Sequence, residues 1–277
     1  MSTNLNPLVS IITPVYNGAN FLDDLIQSVQ HQDYSNTEHI VIDDGSSDDG
    51  ATISVLSRYP HLRWWTRPNR GQYATMNEGL LAADGDIVCF ISSDDMLLPG
   101  AVKKAICFLS KNPNANGVYG SHIYMNVDGH VMRFLQPFKY APSKCYPYSH
   151  HISHSSLFIE KDSLLVNNLL FDEKLRYVGD YDWIIRIFQS SINIERISEN
   201  LSILRIHDEQ TSNECFYPMR VERFSVQIQR NVSFLTASIF RKIMFVSRVI
   251  NIAINFGINE AVLVMKERLL NNSTDYL

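Results

Sequence analysis

Asp86-Ile87-Val88-Cys89-Phe90-Ile91-Ser92-Ser93-Asp94-Asp95-Met96-Leu97-Leu98-Pro99-Gly100 carries both a buried strand and a concentration of charge. Residues 87–91 form a short unbroken apolar run, the pattern of a strand buried on both faces, and the run leads into two adjacent carboxylates. Pro99-Gly100 then opens a helix, so the acids fall in a strand-to-helix loop. In an open α/β sheet, ligands bind at the carboxyl ends of the strands, which is where Asp94 and Asp95 are delivered. Vicinal acids repel each other unless a cation shares them, so a hard metal such as Mg²⁺ or Mn²⁺ carrying substrate phosphates is their natural partner. The plainer reading is a helix N-terminus decorated with acids that its dipole favours.

Upstream of this stretch, strand and helix alternate. Residues 8–13 are a β-branched run that meets Pro14-Val15-Tyr16-Asn17-Gly18, after which Phe21, Leu22, Leu25, Ile26 and Val29 recur at helical spacing. Residues 39–42 form a second strand ending in Asp43-Asp44-Gly45-Ser46-Ser47-Asp48, with a helix over 51–58. A third strand spans 62–66, and a helix over 72–83 stops at Asp84-Gly85. Four strands alternating with helices predict a Rossmann-like α/β domain with a mostly parallel sheet. Downstream the texture changes. Residues 117–126 and 130–135 flank Val127-Asp128-Gly129, a hairpin signal that brings in antiparallel strands. A strand over 155–160, a helix over 180–190 and a pair of edge strands around Glu199-Asn200 within 194–206 follow. From Phe216 onward, two or three amphipathic helices mix Arg and Lys with apolar positions, which divides the chain into 1–215 and a helical extension over 216–277.

Composition narrows the function classes. The 277 residues are 45% hydrophobic and 19% charged, ordinary globular material. A net charge of -5, with no dense basic stripe, argues against nucleic acid as a partner. Cysteines 89, 107, 145 and 215 form no CxxC and read as reduced thiols. The first residues carry no basic region and no apolar run reaches ~18 residues, so the protein is expected on the cytoplasmic side. The basic, apolar helices after Phe216 suit peripheral docking to the inner face of a membrane, near a lipid-linked acceptor, or else cover the sheet or pair two subunits into a homodimer.

The acids can then be read together. A parallel sheet places Asp43-Asp44 and Asp94-Asp95 along one edge, where Tyr16 also arrives. A ring beside acceptor carboxylates can stack on a flat base while the metal-binding pair holds a diphosphate. Neither GxGxxG nor GxxxxGK[ST] is present, so a dinucleotide cofactor and a P-loop are not expected. Turn chemistry is the plainer account of Asp43-Asp44-Gly45. His150, His151 and His154 resemble a soft-metal cluster, but hard acids already offer a site for a hard ion, and the segment reads as a loop and strand start lining the acceptor cleft. Asp182, two residues after Asp180, is placed to support Arg186 at i+4.

Residues 8–212 resemble the inverting glycosyltransferases of family 2 with the GT-A fold. The resemblance is carried by Pro14-Val15-Tyr16-Asn17, Val41-Ile42-Asp43-Asp44-Gly45-Ser46, Asn69-Arg70-Gly71, Asn77-Glu78-Gly79, Ala83-Asp84-Gly85-Asp86, Ser92-Ser93-Asp94-Asp95, Gly179-Asp180-Tyr181-Asp182 and Arg205-Ile206-His207, in that order. It implies that Tyr16 and Asp44 bind the base, usually uracil, that Asp94 touches ribose, and that Asn77 belongs to the nucleotide site. It further implies that Asp95 and His207 serve a divalent cation, Mg²⁺ or Mn²⁺, with His207 on a loop running to Ser212, and that Asp180 is the catalytic base. The implied activity moves a sugar from a nucleotide-diphosphate sugar, usually a UDP-sugar, to a hydroxyl of a saccharide or lipid-linked acceptor, in cell-surface polysaccharide or glycolipid synthesis. Ser92 departs from the pattern, standing where many members place a first acid. That departure supports the alternative of an inactive sugar-nucleotide-binding protein. A sugar nucleotidyltransferase is the third reading, but it calls for a Gly-rich basic loop after strand one that this chain lacks.

Overall fold

The computed structural model describes residues 6–135, 152–208, 210 and 215–232. β1 (Val9–Val15), rich in β-branched residues, has every residue buried. It pairs in parallel with β2 (Thr37–Asp43) and β4 (Ile87–Phe90), while β3 (Arg63–Thr66) extends the parallel run beyond β2. Val15 pairs with Asp43 and Ile12 with Phe90, so Tyr16, Asp44 and the residues after Phe90 leave the sheet at one edge. α1 (Ala19–Gln30), α2 (Ala51–Ser57) and α4 (Ala101–Lys111) cover one face. α1 buries Leu22, Leu25, Ile26 and Val29, each contributing roughly 1.5–3 kcal/mol by leaving water. α3 (Gln72–Ala82) buries Tyr73, Met76 and Leu80 on the other face. This is the alternating half the sequence predicts.

The remaining strands are β5 (Met96–Leu97), β6 (Gly117–Asn126), β7 (Val131–Leu135), β8 (Leu157–Glu160) and β9 (Ile194–Ile206), and the sheet order is β3-β2-β1-β4-β8-β6-β9-β5 with β7 on β6. β6 and β7 form the predicted antiparallel pair. Two expectations are corrected. Residues 194–206 are one strand, and it lies inside the sheet, parallel to β6 and antiparallel to β5. Its register against β6 jumps from Tyr119↔Arg196 to Ser121↔Asn200, so the polar Glu199-Asn200 step is a bulge and not a turn. Residues 155–160 do not begin as strand, because a 3₁₀ turn (His154–Ser156) precedes β8, with the Ser153 side chain accepting from the Ser155 N–H at 3.1 Å.

α5 (Lys161–Val166) leads to α6 (Gly179–Gln189), whose first residue abuts the ring of Tyr73: a Cβ on Gly179 would lie 2.6 Å from it. That contact explains why glycine opens this helix. α7 (Phe216–Gln229) joins the same apolar cluster through Met219 and Val226. Its Glu222 carboxylate accepts the backbone N–H groups of Arg176, Tyr177 and Val178 at 2.7, 2.6 and 2.9 Å, so it organises the approach to α6. The rest of the predicted helical extension lies outside the described residues. Among the described residues, no helix is long and apolar enough to cross a membrane.

Asp182 is fully buried and accepts from Arg186 at 2.7 Å, as its i+4 spacing predicts, and also from Arg230 at 2.6 Å. Removing one partner of a buried ion pair leaves charge uncompensated. Asp182→Ala is therefore expected to lower unfolding stability by about 3 kcal/mol, the low end of the range because both arginines keep some solvent. Denaturant titration checks this, and a loss below about 1 kcal/mol contradicts it.

Candidate active site

The loops at the carboxyl ends of β1, β2 and β4 meet where the parallel register puts them. Asp43 is buried and accepts from Thr66 Oγ1 at 2.6 Å and from the backbone and hydroxyl of Ser46, which closes the turn after β2. Asp44, also buried, accepts from the backbone N–H groups of Arg70 and Gly71, both at 2.8 Å, and from the Arg67 guanidinium. Its carboxylate thus shapes the loop of residues 67–71, where Gly71 adopts a φ of 92°. Tyr16 is half-exposed, with its hydroxyl 3.4 Å from Ser47 Oγ.

Asp94 and Asp95 follow β4, and they differ. Asp94 is partly exposed and lies 3.1 Å from His207 Nε2. Asp95 is buried, accepting from Ser155 Oγ at 2.9 Å and from the Arg205 backbone N–H at 3.2 Å. The Arg205 guanidinium passes both carboxylates, bonding the Asp94 carbonyl at 3.1 Å and Asp24 at 2.7 Å while lying over the ring of Phe21. Burial, then the charge of Asp94, pushes the Asp95 carboxyl well above the usual range against the opposing pull of Ser155 and Arg205. With its folded pKa above the unfolded value, Asp95 contributes stability fully present below the unfolded pKa, and this is lost as pH rises through the folded one.

That charge makes a case for a cation. Among the described residues, no Lys or Arg side chain forms an ion pair with Asp94 or Asp95, and no three His, Cys, Asp or Glu side chains gather into a finished metal cage. Two carboxylates and an imidazole still suit Mg²⁺ or Mn²⁺, ions held by one or two protein carboxylates with substrate phosphates and water completing the shell. The donor set fits. Residues 209 and 211–214, the continuation of the His207 loop toward Ser212, lie outside the described residues.

Asp180 sits in the first turn of α6, about one-third exposed. Tyr73 donates toward Oδ1 at 3.4 Å, and His154 Nδ1 lies 3.6 Å from Oδ2. Burial raises its pKa, but His154, the Tyr181 N–H and the Tyr73 hydroxyl together outweigh burial, and the net shift is downward. Asp180 is therefore ionised at neutral pH and able to accept a proton. Asp182, two residues on, has both its oxygens held by arginine. The Asn77 amide donates to the Phe171 carbonyl and Glu173, each at 3.0 Å, and accepts from the Phe171 N–H at 2.8 Å. Both amide hydrogens of Asn77 are thus engaged within the fold, by contacts that the sequence spacing does not announce.

His154 and Ser155, read from sequence only as cleft lining, join the two halves of the site. Ser155 holds Asp95, and His154 Nε2 lies 3.2 Å from Ser92 Oγ while its Nδ1 faces Asp180. His150 and His151, the other members of the soft-metal pattern, lie outside the described residues.

Residues 10–165 match the family described as Glycosyl transferase family 2. The chain belongs to glycosyl transferase family 2. A Rickettsia typhi protein described as an uncharacterized glycosyltransferase is 34% identical over 215 residues, 75% of this chain and 67% of its own length. Two solved structures share the fold of this glycosyltransferase. S. aureus TarS in complex with UDP aligns with a TM-score of 0.62 at 20% identity, covering 83% of this chain and 68% of TarS. Mannosyltransferase PcManGT from Pyrobaculum calidifontis, in complex with GDP-Man and Mn²⁺, aligns with a TM-score of 0.57 at 16% identity, covering 99% and 83%. The α/β sheet described above is thus a GT-A fold with antiparallel additions.

Proposed function

We propose that this family 2 enzyme is a metal-dependent inverting glycosyltransferase, moving a sugar from a nucleotide-diphosphate donor, a UDP-sugar in the first instance, to a hydroxyl acceptor. The observation that carries it is the coupling of Asp180 to the Asp94-Asp95 pair through two adjacent residues, His154 and Ser155. Asp94, Asp95 and His207 would hold the cation, which when bound supplies positive charge for the departing diphosphate. Asp180 accepts the proton of the acceptor hydroxyl as that oxygen displaces the diphosphate from the opposite side of the anomeric carbon. The half-exposed ring of Tyr16 would stack on the base, and Asp44 with the loop it shapes would complete the base site. The solved neighbours bound to UDP, UDP-GlcNAc and GDP-Man support this class of donor without choosing among its members.

A thermal-shift screen of UDP-, GDP- and dTDP-sugars with and without Mn²⁺ tests the donor class. Stabilisation by one nucleotide series that requires Mn²⁺ is expected, and no response to any of them contradicts the reading. A cytoplasmic location at the inner membrane face belongs to the same proposal. Along α7, Tyr217, Val221, Phe224 and Ile228 are all at least 51% exposed at helical spacing, and Arg220 stands among them. Flotation with anionic liposomes should weaken when Tyr217 and Val221 are both changed to Ser, and flotation indifferent to that change removes the membrane docking.

A further inference from the structure

We propose that His154 is the positioning residue of the base, with its Nδ1–H holding Asp180 toward the acceptor and its Nε2 held in turn by the Ser92 hydroxyl. The inference rests on Asp180 being the base. His154 is 8% exposed, and among the described residues its buried Nδ1 has no hydrogen-bond partner and faces the Asp180 carboxylate at 3.6 Å. Catalytic contacts of this kind are often long without substrate and tighten in the complex.

The backbone that carries the imidazole is pinned on both sides. Ser153 Oγ accepts from the Ser155 N–H, Ser155 Oγ donates to Asp95, and Ser156 Oγ lies 2.6 Å from Ser202 Oγ. The tautomer follows from the partners. A lone pair on Nδ1 would face an ionised carboxylate and be repelled, so Nδ1 carries hydrogen and Nε2 accepts from the Ser92 O–H. Asp180 needs such a support. Its other side-chain donor, Tyr73, is at 3.4 Å, and a base misplaced by 1 Å costs about 10²-fold in rate. The inference also accounts for Ser92. A carboxylate there would grip the ring between two acids, whereas a hydroxyl orients the ring and leaves its Nδ1–H for Asp180.

The test compares two isosteric halves of the ring. His154→Asn retains a donor at the Nδ1 position, and His154→Gln one at the Nε2 position. With the nucleotide sugar selected by the screen and Mn²⁺, Gln is expected to lower kcat by about 10²-fold with donor KM unchanged, and Asn to be at least about tenfold faster than Gln. Ser92→Ala, which leaves the imidazole in place, is expected to lower kcat about fivefold, the rate equivalent of one neutral hydrogen bond. Equal rates for Asn and Gln, or a wild-type kcat in Ser92→Ala, overturn the inference even when Asp180→Asn is inactive. A wild-type rate in Asp180→Asn removes the base assignment itself, and the inference with it.

Discussion

Asp180→Asn is expected to lose about 10²- to 10⁴-fold in kcat while donor affinity and melting temperature stay near wild type. A helix-capping role would give the opposite pattern, because Asn caps about as well as Asp. The geometry already separates the roles. The position before α6 is Val178, which provides no side-chain cap, and the N–H groups leading into the helix are taken by Glu222. The Asp180 oxygens turn instead to Tyr73 and His154. Losing its charge near a helix N-terminus costs about 0.3–1 kcal/mol, small beside the expected loss of rate. An amide cannot accept the acceptor's proton, so steady-state kinetics with calorimetric donor binding tells the two apart. A variant that folds, binds donor and turns over normally would return Asp180 to a structural role.

Asp95→Asn is expected to abolish the dependence of donor binding on Mn²⁺. Losing outer support alone costs a metal site about 10- to 100-fold in affinity, so losing a ligand should cost at least about 10²-fold. Stability should move the other way. Asp95 is buried beside Asp94 with its pKa driven upward, so the neutral amide removes a charge that the cation-free fold accommodates poorly at neutral pH. Ser155 Oγ and the Arg205 N–H remain as partners for the amide. The cation-free melting temperature should therefore be equal or higher. Calorimetry showing unchanged donor affinity and unchanged Mn²⁺ dependence would count against a metal role for this acid.

The alternating half of the chain was legible because local pattern and tertiary placement agree there. Residues 8–13 are a β-branched run and 87–91 an apolar one, and the parallel register of β1, β2 and β4 brings Asp44, Asp94 and Asp95 to one edge. β5 was missed because two residues, Met96 and Leu97, carry no period; only pairing with β9 makes them a strand. Glu199-Asn200 looked like a turn because a bulge and a turn use the same polar residues, and strand direction decides between them. The roles hardest to read were those set by distant partners. Asn77 faces Phe171, Asp182 faces Arg230, and His154 spans Ser92 and Asp180, contacts no local spacing announces. The signal for His154 was Ser92 itself, a hydroxyl where an acid was expected.

Proton NMR of the sugar released from the selected donor measures the reaction and its stereochemistry together, with water serving as acceptor if no other is known. With wild-type enzyme and Mn²⁺, the first sugar signals should belong to the anomer opposite to that of the donor, and they should be absent without the metal or with Asp180→Asn. Release of the same anomer as the donor, or release at equal rate without divalent cation, would contradict a metal-dependent inverting transfer carried by Asp180.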